Sequence, residues 1–342
     1  MHASRGDAAR GRLARRAMTV LLTGAAGFIG FHVAEALLAR GEQVVGVDNL
    51  NAYYDTRLKQ ARLAQLVAKR GFAFHAADIT DRDAMSAVVA AHAGIERVVH
   101  LAAQAGVRHS MIDPHAYAAA NVAGHLVLLE IARALPALRH LVYASTSSVY
   151  GGNTALPFRE ADRVDTPLSL YAATKRADEL MSHAYAHLFG LPQTGLRFFT
   201  VYGPWGRPDM AYFSFARAIA AGEPITVYDH GTLRRDFTYI DDIVAGVLGV
   251  LDRPPDGAPP WRLLNIGNNR SEPVSALIAL LEQGLGRPAV LRHAPRPAAD
   301  VPETAADISA IHALTGFTPA TPLAVGIPRF VAWFREWRQR GG

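Results

Sequence analysis

The sequence predicts an α/β protein: a Rossmann-type doubly wound parallel sheet followed by a smaller α+β substrate-binding lobe. Three observations predict it. Short, continuous apolar runs alternate with helical stretches from Met18 to Phe198, the pattern of a parallel sheet covered on both faces. A glycine-rich turn separates the first apolar run from the first helical stretch. Beyond Phe198 the rhythm loosens, and Pro and Gly become frequent. At 342 residues the chain is long enough for two lobes around a shared cleft.

In chain order, Thr19–Thr23 reads as a buried strand and residues 28–40 as a helix. Gln43–Asp48 is a second strand, followed by a helical stretch over 58–69. Residues 72–75, 97–101 and 140–144 are further strands, with helices over 81–91, 115–134 and 169–188 between and after them. Helices are then expected over 212–221, 241–251 and 275–285, with a strand near 262–265. Residues 295–302 form a proline-rich connector, and 325–340 a last helix. The expected division is a basic tail over 1–17, a dinucleotide lobe over 18–198 and a substrate lobe over 199–342, with roughly 237–266 returning to the first lobe.

Composition narrows the function classes. Half the residues are hydrophobic and 19% are charged, so a sizeable core is expected and global disorder is excluded. The absence of cysteine rules out disulfides, thiolate nucleophiles and cysteine-ligated metals and fits a reducing cytoplasm. No apolar run reaches the length of a membrane span. The chain carries 35 basic and 30 acidic side chains, but Arg5, Arg10, Arg12, Arg15 and Arg16 lie in the first 17 residues with one acid, Asp7. The remainder has 30 against 29, a net +1, which is no footprint for nucleic acid. The tail lacks the apolar centre of a signal peptide and reads as disordered. Met18 directly precedes the first strand and is a candidate natural start. None of the fourteen histidines pairs with acids at metal-ligand spacing, so no metal is expected, and His100 on an apolar strand reads as core.

Gly24-Ala25-Ala26-Gly27-Phe28-Ile29-Gly30 stands between the first strand and the first helix. Glycines there allow a tight turn, close approach of a pyrophosphate to the backbone, and close helix–strand packing. The phosphates would sit on the helix N-terminus. Asp48 ends the second strand, where a carboxylate accepts hydrogen bonds from the adenine-ribose hydroxyls and repels a 2′-phosphate. Its neighbours Asn49 and Leu50 are neutral, so the expected cofactor is NAD rather than NADP. Asp78-Ile79 follows the third strand; Asp78 either reads an adenine edge or is an ordinary turn acid. Leu101, Ala102 and Ala103 end the fourth strand with small residues that let a cofactor lie against it, and Gln104 and Phe198 complete the candidate set.

Tyr171 and Lys175 form Tyr-x-x-x-Lys in a helical stretch, which puts both on one face. A neighbouring ammonium favours the phenolate, the form that can accept a proton. Upstream, Ser145-Thr146-Ser147-Ser148-Val149-Tyr150-Gly151 lies just past the fifth strand, at the strand ends where such sheets bind ligands. The competing interpretation is a solvated serine turn and a surface Tyr/Lys pair.

Together these segments resemble the extended short-chain dehydrogenase/reductase family, and within it the nucleotide-sugar 4-epimerases that act on UDP-glucuronate. The stretches 47–51, 101–108, 169–175, 197–210 and 234–242 carry the likeness, which runs from Met18 to near the C-terminus. The resemblance implies NAD-dependent inversion at C4 of UDP-glucuronate, giving UDP-galacturonate through a transient 4-keto sugar. Tyr171 would take the 4-hydroxyl proton, Thr146 would hydrogen-bond the 4-oxygen, and Lys175 would hold the nicotinamide ribose. Related 4,6-dehydratases carry an Asp-Glu pair where this chain has Ser147-Ser148, and related decarboxylases a glutamate at Ser148. With hydroxyls at both positions, no acid is available there for elimination or for protonating an enolate. Ser147, Ser148 and Thr200 would grip the sugar carboxylate, with Arg108 a competing partner. Arg207 and Arg235 would bind the pyrophosphate, and Asp300 the uridine ribose. A homodimer through two helices per subunit is also implied. A UDP-glucose/UDP-galactose 4-epimerase or another nucleotide-sugar epimerase, and a non-catalytic NAD-sensing protein, remain as alternatives.

Overall fold

The computed structural model describes residues 18–341; the arginine-rich segment 1–17 lies outside them. The first half builds β1 (Thr19–Thr23), α1 (Phe28–Ala39), β2 (Gln43–Asp48), α2 (Thr56–Val67), β3 (Phe72–Ala76), α3 (Arg82–Ala90) and β4 (Ile95–His100). It continues with α4 (Pro114–Tyr117), α5 (Gly124–Ala134), β5 (His140–Thr146), α6 (Leu170–Phe189) and β6 (Gln193–Phe198). The second half adds β7 (Thr200–Tyr202), α7 (Ala211–Ala221), β8 (Pro224–Tyr228), β9 (Arg234–Tyr239), α8 (Ile240–Leu251) and β10 (Trp261–Ile266). It ends with β11 (Ser271–Pro273), α9 (Val274–Leu285), β12 (Val290–Ala294), α10 (Ser309–Thr315) and α11 (Leu323–Gln339).

Seven strands form one sheet in the order β10-β6-β5-β4-β1-β2-β3, with every pairing parallel. The order reverses direction at β1, and ligands bind such sheets outside the carboxyl ends of the strands near that reversal. Leu21, Val45, Val98 and Leu141 pack one face against α3 and α5, while Val20, Leu22, Val44 and Val142 pack the other against α1 and α8. That second core continues without a break into the other lobe through Tyr202, Phe213, Phe237 and Phe330. The second lobe is pinned by two small sheets, β11-β9-β7 and β12-β8.

Three findings modify the sequence reading. Gln193–Phe198 is a central strand that the pattern did not reveal, because its polar residues are satisfied from elsewhere. Gln193 Nε2 donates to Ser182 O, Thr194 Oγ1 bonds His140 Nε2, and Arg197 is paired to Glu179. The helix expected over 115–134 is interrupted by a π-helical turn over Ala118–Ala123, a widening often found at functional sites. The helix expected from residue 58 starts earlier, at Thr56, because the Asp55 carboxylate caps it by accepting from Arg57 N–H.

Candidate active site

One cleft of about 1100 Å3 runs between the lobes along the carboxyl ends of the strands. A single drug-sized ligand typically occupies a pocket of roughly 300–1000 Å3, so the cleft has room for more than one nucleotide. Its lining includes Gly24, Gly27, Phe28, Ile29, Gly30, Asp48, Asn49, Asp78, Ile79, Leu101, Ala102, Ala103, Gln104 and Phe198 toward the glycine turn. Thr146, Ser147, Ser148, Tyr171, Lys175 and Thr200 line its middle, and Arg207, Arg235 and Asp300 the side formed by the second lobe. Residues up to 280 positions apart in sequence, Gly24 and Thr304, thus share one space.

The glycine turn has the shape a pyrophosphate needs. Gly24 has φ +73°, and a Cβ there would sit 2.7 Å from Ala102 N. A Cβ on Gly30 would sit 2.0 Å from Gly24 O, so α1 can approach β1 only through glycine. Gly27 caps α1 without any side-chain hydrogen bond and with no acid in the first turn, which leaves the terminal N–H groups for an anion. Asp48 Oδ2 accepts from Ala26 N–H at 3.1 Å and Oδ1 from Leu50 N–H at 2.9 Å, so the carboxylate is held rigid beside the turn. Asn49 Nδ2 donates to Asp78 Oδ2 at 2.8 Å. Burial would raise the Asp78 carboxyl, but the Thr80 N–H, the Asn49 amide and the Thr80 hydroxyl together hold it below its ordinary range. These residues fit a dinucleotide.

Tyr171 is the second residue of α6, whose N-cap Ser169 accepts from Ala172 N–H at 3.1 Å. The cap fixes where the helix begins, and so aims Tyr171 and Lys175 into the cleft from one face. Thr146 ends β5, and its hydroxyl donates to Ser148 Oγ while accepting from Ser148 N–H, both at 3.2 Å. Ser147 and Thr200 make no side-chain hydrogen bond among the described residues, so their hydroxyls are free for a ligand. Lys175 is buried, and its Nζ donates to Asp178 Oδ2 at 2.5 Å.

The second lobe presents its arginines differently from one another. Arg207 is held by Asp209, with Nη2 at 2.5 Å from Oδ2 and 3.4 Å from Ala105 O. Tyr53 shares that aspartate at 3.2 Å, and burial together with Asp209 pushes its phenol up to about 12. Among the described residues Arg235 donates only to the Arg234 and Pro302 carbonyls. Burial and the nearby Arg108 and Arg296 lower its pKa, against the pull of Asp300. A guanidinium with no carboxylate on it is the natural seat for a phosphate. Asp300 accepts from Arg108 Nη2 at 3.0 Å across the cleft, and Arg108 also stacks over Tyr228 at 4.7 Å.

Four buried polar residues at or behind the cleft walls escaped the sequence reading. Lys59 on α2 is buried with Nζ 3.9 Å from Asp48 Oδ1; burial lowers its pKa and Asp48 opposes that shift. Arg62, fully buried, clamps Ala26 O and the Trp205 and Gly206 carbonyls, tying the glycine turn to the loop that carries Arg207. That loop is wedged by Trp205 between Trp333 and Trp337 of α11, at 5.2 and 5.6 Å. Asn121, in the π-helical turn, accepts from Gln104 N–H and donates to Gln104 O and Thr174 Oγ1, coupling the end of β4 to α6. Asp178 holds Lys175. A lone asparagine within an apolar helical stretch is the only local signal among them. No group of three or more potential metal ligands occurs among the described residues, and His100 lies in the core with Nδ1 2.7 Å from Thr23 Oγ1.

Residues 20–267 match the NAD dependent epimerase/dehydratase family. The chain belongs to that family. A relative named "Probable UDP-glucuronate 4-epimerase", from Rhizobium meliloti, is 46% identical over 334 residues, spanning 93% of this chain and 97% of its own length. UDP-glucuronate 4-epimerase 2 of Arabidopsis thaliana is 46% identical over 341 residues, 96% of this chain and 78% of its own. Among solved structures, the UDP-glucuronic acid 4-epimerase of Bacillus cereus in complex with UDP-glucuronic acid and NAD aligns with a TM-score of 0.87 and 33% identity, over 94% of this chain and 100% of that one. As a member of the epimerase/dehydratase family the protein is an NAD-dependent enzyme, in keeping with the glycine cradle at one end of its cleft. No helix among the described residues is long and apolar enough to cross a membrane.

Proposed function

We propose that the protein interconverts UDP-glucuronate and UDP-galacturonate by inverting C4 through a 4-keto sugar. The observation that carries this reading is the site's middle section. The Tyr171–Lys175 pair faces a wall of hydroxyls, Thr146, Ser147, Ser148 and Thr200, with no carboxylate among them. Near-full-length similarity to UDP-glucuronate 4-epimerases supports it.

Gly24, Gly27 and Gly30 hold the pyrophosphate of NAD, Asp48 the adenine ribose, and Lys175 the nicotinamide ribose. Asp78, Ile79, Leu101, Ala102, Ala103, Gln104 and Phe198 form the rest of that wall. Bound NAD supplies the hydride acceptor for C4 and returns the hydride to the opposite face. Tyr171 takes the proton from the 4-hydroxyl and gives it back after inversion. Thr146 hydrogen-bonds the 4-oxygen, which keeps it near Tyr171. Arg235 neutralises the UDP pyrophosphate, and Arg207 joins it on parting from Asp209. Asp300 receives the uridine ribose. The lobe over 18–198, with roughly 237–266 returning to it, thus takes the dinucleotide, and the remainder of 199–342 the nucleotide sugar.

The uronate carboxylate sits on Ser147, Ser148 and Thr200. Hydroxyls grip it without offering an acidic proton to an enolate, so the path toward loss of CO2 is not assisted.

The protein acts in the cytoplasm, consistent with its cysteine-free composition, and as a homodimer. Leu126 on α5 and Leu180, Leu188 and Phe189 on α6 are exposed by 43–66% on two neighbouring helices, apolar surface suited to a second copy. The deciding experiment incubates the protein with UDP-glucuronate and with UDP-glucose separately and follows C4 configuration by NMR. Inversion of the first alone supports the proposal; inversion of UDP-glucose alone overturns it.

A further inference from the structure

Tyr171, Lys175 and Asp178 fall at successive turns on the cleft-facing and sheet-facing side of α6. Lys175 is 2% exposed and Asp178 0%. The ammonium donates to Asp178 Oδ2 at 2.5 Å. Asp178 Oδ1 is buried without a hydrogen-bond partner among the described residues. An ammonium taken out of water needs an anion close by, and among the described residues no other acid is in a position to serve. Glu179, the next residue, is engaged by Arg197 at 2.8 and 2.9 Å, by Arg176 at 3.0 Å and by the Ser145 hydroxyl at 2.6 Å.

The groups facing this pair from the rest of the fold are uncharged. His100 of β4 is pushed down to about 3, first by burial and then by the Lys175 charge. His125 of α5 is held well below its ordinary range by burial, then His100 and Lys175. Its Nε2 bonds the Ser182 hydroxyl at 2.8 Å. Tyr143 of β5 is raised, mainly by burial, with Glu179 and Asp178 adding to it. Two neutral imidazoles and a neutral phenol supply no counter-charge, so Asp178 alone balances Lys175.

We propose that Asp178 is a positioning residue for this site: its carboxylate keeps the Lys175 ammonium charged and anchored one helical turn from the phenol of Tyr171. An ammonium has three protons, so Lys175 can stay on Asp178 and still offer a second hydrogen bond to a ribose hydroxyl. The inference rests on the reading that Tyr171 and Lys175 act as base and cation. Asp178 itself is raised to about 6, by burial with Lys175 opposing. Protonation below that value removes the anchor, and the site loses its fixed cation.

The test rests on the sign of one shift. If Asp178 were only a nearby negative charge, removing it would favour the phenolate and lower the Tyr171 pKa. If it maintains the Lys175 cation, removing it lets the buried amine lose its proton or turn away, and the Tyr171 pKa rises. Phenolate absorbance is titrated in the protein without substrate for wild type and Asp178→Asn, subtracting the matching Tyr171→Phe titrations. The expected result is a rise by about one pH unit or more, with kcat falling at neutral pH, recovering toward alkaline pH, and KM for UDP-glucuronate little changed. In a Lys175→Met background the same substitution should produce no rise. A fall or no change in the phenol titration overturns the proposal. Where Asp178→Asn does not fold, Asp178→Ser, small enough to admit water beside the ammonium, carries the same titration and the same two outcomes. The titration needs no sugar, so absence of epimerase activity in the wild type would overturn the proposed function and leave this result standing.

Discussion

Replacing Asp48 by Asn should turn the protein from NAD toward NADP. The Asp48 carboxylate and the Lys59 ammonium lie 3.9 Å apart, and both residues are more than nine-tenths buried. Two unit charges about 4 Å apart interact by roughly 4 kcal/mol at an effective dielectric of about 20. In the wild type that energy is spent internally, and a 2′-phosphate entering beside Asp48 would meet repulsion of similar size. Asn removes the repulsion and leaves Lys59 without an anion, in place to pair with the phosphate. Allowing half of the Coulomb figure for relaxation leaves about 2 kcal/mol, or roughly a thirtyfold change in the NADP:NAD affinity ratio. The absolute affinities will also fall. Asn keeps only one acceptor oxygen for the two backbone N–H groups of Ala26 and Leu50, at a cost of about 1–3 kcal/mol. That cost falls on both cofactors alike, so the ratio is the quantity to measure. Nucleotide-free protein is titrated with each cofactor by quenching of tryptophan fluorescence. Adding Lys59→Met should remove the gain for NADP. An unchanged ratio in Asp48→Asn, or a wild type that binds both cofactors equally, would refute the assignment of Asp48 and Lys59.

Tyr171→Phe should bind UDP-glucuronate normally and lose about a hundredfold or more in kcat, since only the proton acceptor is removed; near-normal turnover in a coupled assay would sink the mechanism. Oxidation at C4 of a uronate gives a β-keto acid, which loses CO2 when its carboxyl bond aligns with the carbonyl π system. Ser147→Ala combined with Thr200→Val should therefore release UDP-4-keto-pentose, detected by mass spectrometry; a variant that merely slows would move the carboxylate to Arg108. Asp252, at the end of α8, receives Arg40 Nη2 at 2.9 Å and Arg97 Nη1 at 2.5 Å. Burial raises its pKa, but those two guanidinium hydrogen bonds win and hold it below the ordinary carboxylate range. A depressed native pKa contributes stability above the unfolded value and loses it as pH falls through the native one. Asp252→Asn should accordingly destabilise by about 1–3 kcal/mol at neutral pH, measured by urea unfolding, with the gap closing below about pH 4.

Much of this protein is written locally. Thr19–Thr23 and Gln43–Asp48 are strands with the bounds their apolar runs imply. The glycine turn is legible because φ +73° at Gly24 and the 2.0 Å clearance at Gly30 admit no other residue. Tyr171 and Lys175 are recognisable because a spacing of four on a helix has one geometric meaning. The Gly30 contact with Gly24 and the Tyr171–Lys175 spacing lie within one or two turns of chain, which sequence order preserves.

The rest depends on residues far apart in the chain. Gln193, Thr194 and Arg197 look like a surface segment, yet they occupy a central strand because Ser182, His140 and Glu179 meet their polar atoms. Asn121 reaches Gln104 and Thr174 from a π-helical turn beside α6. Lys59 becomes a neighbour of Asp48, Arg62 a clamp on Trp205, and Arg108 a partner of Asp300. Asp178 lies three residues after Lys175 in sequence, but its role comes from the sheet that buries both. At a helix surface the pair would be a weak exposed contact; here, with no water to share the charge, one carboxylate must hold the cation. Spacing along the chain tells which side chains can meet, and the dielectric they meet in is decided by what the fold packs around them.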